Sequence, residues 1–212
     1  MINLFVSYYK AATPERQAEI DYCLKANCEN PMIDIVYVLT NEQIHKLMNG
    51  KIVKMLFDGN PTYGAFFNAI NAVTKPDDIN IISNADIIFD ETIALTSQLK
   101  ANECWALSRW EMRIDYTKHP EQIQVYGDSQ DCWIFRGKIK PLSKSDFPLG
   151  KLGCDNRIAY EIQKAGYKIS NPSKSVHTWH LHNSNVRGYD PKVRNEHTVV
   201  SQPYLNVPVS YL

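Results

Sequence analysis

The sequence predicts an α/β fold in a single domain, a mostly parallel central sheet with helices on its faces. From Asn3 to Phe89, short apolar runs alternate with amphipathic stretches, the pattern of strand–helix units that feed a parallel sheet. At 212 residues the chain can enclose one substantial core, and no composition shift or linker divides it, so residues 1–212 are read as one domain.

The elements follow in order. Asn3 to Tyr8 reads as a buried first strand that ends in Ser7, Tyr8 and Tyr9. Thr13-Pro14-Glu15 opens a helix, with Thr as N-cap and Pro in the first turn, and Ile20 and Leu24 share its buried face. Ile33 to Leu39 is a second strand, Thr40-Asn41-Glu42 opens a short helix carrying Ile44, Leu47 and Met48, and Lys51 to Phe57 is a third strand. Tyr63 to Val73, with Phe66, Ile70 and Val73 along one stripe, is the next helix and leads into the strand from Ile79. Beyond it, Cys104–Ser108, Cys132–Phe135 and Ser175–Leu181 read as strands among long irregular stretches. Asp155 to Gly166 is a helix closed by Ala165-Gly166.

Bulk properties narrow the function. Lys plus Arg equals Asp plus Glu at 23 each, so no basic surplus is available to hold a nucleic-acid backbone. No segment approaches the roughly 18 consecutive apolar residues of a membrane span, and the N-terminus lacks a charged leader. Five cysteines without C-x-x-C spacing suit buried thiols in a reducing, cytoplasmic compartment.

Parallel sheets bind ligands beyond the carboxyl ends of their strands. Ser7, Asp58 and Asp86 all fall at such ends and would converge on one rim. In Ser83-Asn84-Ala85-Asp86 a strand stops in polar residues; strand-like alternation would aim Asn84 and Asp86 the same way, toward one cation or one sugar. In Gly127 to Arg136 a polar loop feeds an apolar strand, and Asp128 and Asp131 either make local backbone bonds or face a ligand. In Leu149 to Arg157, Asp155 is either a helix cap or a carboxylate placed to accept a proton or a sugar hydroxyl. Half of the six histidines lie between Val176 and His182. Alternation puts His180 and His182 on one face, toward a cation or a phosphate, with Ser184 and Arg187 as donors suited to a diphosphate.

The succession S-N-A-D-I-I-F-D, S-Q-D-C-W-I-F-R, G-C-D-N-R-I-A-Y-E-I-Q-K-A-G-Y-K-I and H-L-H-N-S-N-V-R-G-Y resembles the nucleotide-sugar glycosyltransferases of the GT-A fold, which is Rossmann-like. More narrowly it is similar to the glycosyltransferases with which chlorella viruses build capsid glycan, where such a domain forms the first part of a longer polypeptide. The resemblance implies a UDP-sugar donor, a hexosyl group of glucose or rhamnose type, a glycan or glycoprotein acceptor, and Mn2+ or Mg2+ as cofactor. It implies host cytoplasm if the protein is viral. It carries the metal acid to Asp86 with Asn84 as variant partner, the C-terminal histidine to His182 or His180, and the acidic motif before the last helix to Asp155. Two departures stand out, Asn84 for a carboxylate and Cys154 for an acidic neighbour of the base.

From that frame, Ser7, Tyr8 or Tyr9 are expected to contact the base, and Asp58 the ribose or uracil edge. Asp155 is expected to face the acceptor hydroxyl, with Asp131 second, whereas Asp77 and Asp78 precede their strand at its opposite end. The alternatives are a sugar nucleotidyltransferase and a carbohydrate-binding module. The first usually carries a Gly-rich basic loop after its first strand, and Ser7-Tyr8-Tyr9-Lys10 is not one.

Overall fold

The computed structural model describes residues 1–44, 50–112, 127–184 and 199–212, and the backbone of 118–123. Strands β1 (Ile2–Ser7), β2 (Ile35–Thr40), β3 (Ile52–Leu56), β4 (Ile79–Ser83), β6 (Glu103–Leu107), β9 (Cys132–Arg136) and β10 (Lys168–Ser170) form one sheet of seven in the order β10-β6-β9-β4-β1-β2-β3. All neighbours run parallel except β9, which is antiparallel to β4 and to β6. The mostly parallel α/β sheet is therefore as expected. Its reversed strand has a functional consequence: β9 begins at the edge where β4 and β6 end.

Alternation along the strands divides the core between the two faces. Leu4, Val6, Val36 and Val38 point to the side covered by α1 (Pro14–Glu29), where they meet Leu24 and Cys28. Phe5, Leu39, Ile82, Trp133 and Phe135 point to the side of α2 (Tyr63–Val73) and α3 (Cys154–Lys164), against Phe66, Phe67, Ile70, Ile158 and Ile162. Thr13 and Thr62 cap α1 and α2 through their hydroxyls, and Gly166, at φ 87°, ends the α3 region in the left-handed conformation that glycine adopts without strain. All five cysteines are buried and unpaired.

A second sheet of four strands, β5 (Ile87–Phe89), β11 (Thr178–His180), β7 (Trp110–Met112) and β8 (Lys118–Ile123), was not anticipated. Three of these strands are only three residues long, too short for periodicity to register. The sheet packs Ile88, Met112, Trp179 and Leu181 onto Cys23 of α1.

Two expectations are corrected, and a third falls largely outside the described residues. Residues 84–86 form a turn between β4 and β5, so strand alternation does not apply there, and Asn84 and Asp86 make separate contacts. The strand expected over Ser175–Leu181 is confined to Thr178–His180, because Ser175 and Val176 both turn back to bond the Pro172 carbonyl. Thr40 ends β2 and its hydroxyl accepts from Glu42 N at 2.9 Å in a bend; Leu47 and Met48 of the helix expected there lie outside the described residues.

α1 also serves as a polar clamp on the small sheet. Asn27 donates to Ile87 O at 2.8 Å and accepts from Phe89 N at 3.1 Å, and Asn30 donates to Phe89 O at 3.0 Å. These amides stand where a neighbouring strand would be, satisfying the free edge of β5. Asn27→Ala leaves two buried backbone groups without partners and is expected to cost about 2 kcal/mol of stability. Urea denaturation measures it; a loss under about 0.5 kcal/mol would mean that the clamp is dispensable.

Candidate active site

The carboxyl ends of β1, β2, β4 and β6 and the start of β9 lie along one edge of the main sheet and open into a cleft of about 1140 Å³. Ser7, Tyr8, Tyr9, Asn84, Asp86, Asp131, Asp155, His180 and His182 all line it. A second, more open groove of about 740 Å³ beside α2 contains none of these residues. Two expected residues are not brought in. Asp58 is exposed past β3, where it accepts from Asn41 at 2.7 Å, and Ser184 bonds Glu19 through both its N–H and its hydroxyl. Arg187 lies outside the described residues.

Asp86 draws an arginine and two histidines to one point in the cleft. Its Oδ2 receives Arg16 Nη2 at 2.5 Å, faces His180 Nε2 at 3.3 Å, and stands 3.9 Å from His182 Nδ1. Its Oδ1 is buried and has no hydrogen-bond partner among the described residues. Burial would raise the Asp86 pKa, but His180 and Arg16 outweigh it and hold the carboxyl far below its ordinary value. Ligand atoms of Asp86, His180 and His182 all lie within 4.8 Å of one another. One carboxylate and two imidazoles suit a divalent first-row cation, and the orphaned Oδ1 shows that the protein partners do not fully satisfy the carboxylate.

His180 is oriented from behind. Its Nδ1 lies 2.9 Å from Glu111 Oε2, which turns Nε2 toward Asp86, the carboxylate–imidazole arrangement that fixes a metal-binding histidine. Burial opposes its protonation, yet Asp86 and Glu111 together raise its pKa to about 9, so a proton supplies the positive charge between them. Glu111 also accepts from Arg109 Nε at 2.8 Å, and Arg109 Nη1 bonds both oxygens of Asp131 at 3.0 and 3.2 Å. Asn84 Nδ2 donates to Asp131 Oδ1 at 2.8 Å. Asn84 therefore reads Asp131 across the turn, while Asp86 faces the histidines.

Arg16, Glu19, Arg109 and Glu111 were missed from sequence, although a signal existed for each pair. Arg16, Glu19, Ile20, Cys23, Leu24 and Asn27 form one buried stripe of α1, so charges stand where a helix normally places apolar residues. Arg109 and Glu111 sit two apart around Trp110 and share a face.

Asp155, in the first turn of α3, has different surroundings. Its Oδ1 lies 3.4 Å from the Tyr63 hydroxyl and 3.2 Å from the Cys154 thiol, and the Gln130 backbone N–H also reaches the carboxyl. Burial first and the charge of Asp131 second raise its pKa to about 7, against the smaller opposing effects of those donors and of Arg109. Of the two carboxyls weighed for proton transfer, Asp131 is committed to an ion pair and Asp155 is not. At the β1 end, the Tyr8 hydroxyl is engaged with Asp21 at 2.7 Å and Gln17 at 3.0 Å, whereas Tyr9 is 44% exposed and lines the cleft.

No protein-family model matches the chain, and no curated protein matches it in sequence. Solved structures match in fold. A mannosyltransferase from Pyrobaculum calidifontis, in complex with GDP-Man and Mn2+, is 15% identical over 89% of this chain and 58% of its own, with a TM-score of 0.50. A 4-diphosphocytidyl-2C-methyl-D-erythritol synthase from Anaerococcus prevotii is 11% identical over 88% of this chain and 89% of its own, at 0.49. A 2-C-methyl-D-erythritol 4-phosphate cytidylyltransferase from Francisella tularensis is 16% identical over 64% and 73%, at 0.42. The fold is thus of the Rossmann-like, GT-A type, which this chain shares with the mannosyltransferase. Among the described residues, no helix is long and apolar enough to cross a membrane.

The Asp155 environment makes a testable statement. Its folded-state pKa of about 7 lies above the ordinary 3.8, so between those values the folded protein holds a proton that the unfolded chain has released. The Asp155 carboxyl therefore costs stability as pH rises through that window. Relative to wild type, Asp155→Asn is expected to gain in melting temperature between about pH 4 and pH 7 and to keep the gain above it. A difference in melting temperature that stays constant across the window would contradict the assignment.

Proposed function

We propose that this chain is a metal-dependent glycosyltransferase that moves a hexosyl group from a UDP-sugar to a hydroxyl of a glycan or glycoprotein acceptor. One observation carries the reading: a single cleft pairs the Asp86–His180–His182 cluster, with its orphaned carboxylate oxygen, and a separate carboxyl whose pKa lies near 7. Asp86, His180 and His182 would hold the cation. Bound there, Mn2+ or Mg2+ supplies positive charge against the departing diphosphate. Tyr9 offers the aromatic face for uracil, beside Ser7, with Asn41 braced by Asp58 at the rim.

Asp155 acts on the acceptor. As the acceptor oxygen bonds to the anomeric carbon, the bond from that carbon to the diphosphate oxygen breaks and its electron pair leaves with the diphosphate. The acceptor proton passes to the Asp155 carboxylate. A base with a pKa near 7 is about half ionised at neutral pH, and its ionised form is basic enough to take that proton. A nucleotidyltransferase attacks phosphorus with a phosphate oxygen that is already ionised and has less use for such a base. A carbohydrate-binding module has no need of a buried cation cluster.

The narrower likeness to the chlorella-virus enzymes rests on the sequence motifs, and it makes rhamnose the alternative to glucose. A cytoplasmic site of action, in host cytoplasm if viral, and a place as first domain of a longer polypeptide belong to the same reading; the buried free thiols support the compartment.

The test is a thermal-shift panel of UDP, GDP, CDP and UTP, each with and without Mn2+, on wild type, Asp86→Ala and Asp155→Asn. Wild type is expected to respond most to UDP with Mn2+, and Asp86→Ala to lose the dependence on the ion. Asp155→Asn is expected to keep the wild-type shift while transfer from a UDP-hexose falls by roughly a hundredfold or more. A preference for UTP with release of pyrophosphate would establish the nucleotidyltransferase instead, and no response to any nucleotide would reject both.

A further inference from the structure

The contact between Arg16 and Asp86 is unusual for a site built to take a cation. The guanidinium bonds Asp86 Oδ2 at 2.5 Å, the shortest approach to that carboxylate among the described residues, and both side chains are almost enclosed, at 7% and 10% exposure. A divalent ion on Asp86 would stand within a few ångströms of this permanent positive charge, where the low dielectric amplifies repulsion. Arg16 is nevertheless firmly held. Its backbone N–H bonds the Thr13 cap at 3.3 Å, and its Nη1 bonds Glu19 Oε2 at 2.8 Å and the Leu181 carbonyl at 3.2 Å. Glu19 is in turn fixed by the N–H and the hydroxyl of Ser184, at 2.7 and 2.9 Å. The guanidinium thus has one anchored corner, Nη1, and one corner, Nη2, that bonds Asp86; the Tyr9 hydroxyl also reaches the guanidinium, which borders the cleft.

We infer that Arg16 is the resident counter-cation of the Asp86 site: it neutralises the carboxylate until a donor enters, yields that oxygen to an incoming divalent cation, and turns Nη2 to the donor's diphosphate. The inference rests on the cation and nucleotide-sugar reading of the cleft. Glu19 keeps Nη1 in place during the exchange, so a rotation about the guanidinium suffices, and the planar fork is suited to phosphate oxygens. The cation and the nucleoside diphosphate then favour each other, because the diphosphate draws off the charge that opposes the ion. The coupling is reciprocal, so the ion tightens the nucleotide by the same factor.

The experiment measures Mn2+ binding to the whole protein by electron paramagnetic resonance of the free ion, alone and with UDP or GDP. Wild type is expected to bind the ion weakly alone and about a hundredfold more tightly with the nucleotide. Arg16→Gln, which removes the charge, is expected to bind the ion alone about tenfold more tightly and to lose a similar factor of coupling. Arg16→Lys keeps the charge and is expected to stay as weak as wild type without nucleotide. If folded Arg16→Gln binds Mn2+ alone no better than wild type, Arg16 does not compete for Asp86 and the inference fails, although the cation site stands. If wild type takes up no Mn2+ even with either nucleotide, the cation site itself fails, and the inference with it. Should Arg16→Gln not fold, the nitrogen resonances of the wild-type Arg16 guanidinium decide: they are expected to shift when Mg2+ and UDP are added together, and constancy on addition of a nucleotide that binds would overturn the exchange.

Discussion

A carboxylate is costly to bury, and Asp86 is buried where the main sheet, the small sheet and α1 meet. Its charge sets what must surround it. Arg16 comes from α1, His180 and His182 from and just after β11, and the Asp86 carbonyl accepts from Leu181 N at 2.9 Å. The turn at residues 84–86 takes the chain out of the main sheet at this point, so that β5 can pair with β11 and bring the histidines back to the acid. The small sheet is in this sense the support of one ionic cluster.

From that cluster, charge pairing continues to the other half of the cleft. His180, Glu111, Arg109, Asp131 and Asn84 are joined in sequence by contacts of 2.8 to 3.2 Å, with alternating sign until the neutral amide. A fully partnered network fixes the geometry of its members, while removing one member exposes the rest to an uncompensated charge. The network ends at Asp131, whose negative charge then acts on Asp155 without touching it in any described hydrogen bond. The acids differ accordingly: Asp86 faces Arg16 and two histidines, Asp131 is spent on Arg109, and Asp155 joins no ion pair among the described residues.

Much of this was legible in the sequence wherever one element carried its own periodicity. The α2 boundaries, the Thr13-Pro14 start of α1 and the positions of β1, β3 and β9 follow from local pattern and capping chemistry, which act over a few residues. The pairing of His180 with His182, whose rings lie 5.7 Å apart, followed from alternation even though β11 ends at His180. What escaped was long-range. Arg16 meets Asp86 across 70 positions and Glu19 meets Ser184 across 165, and no local rule selects such partners. The Asn84–Asp86 pair was misread for the opposite reason, because a polar tetrapeptide after an apolar run is compatible with strand or turn, and only the need to reach the second sheet decides.

The most direct test of the cluster is crystallographic. Crystals grown with UDP and Mn2+ and measured at the manganese edge locate the ion by its anomalous scattering. A peak in coordination contact with Asp86 and with His180 or His182 is the expected result. A peak on other side chains, or bound nucleotide with no peak at Asp86, would contradict the assignment of this buried acid as the centre of the site.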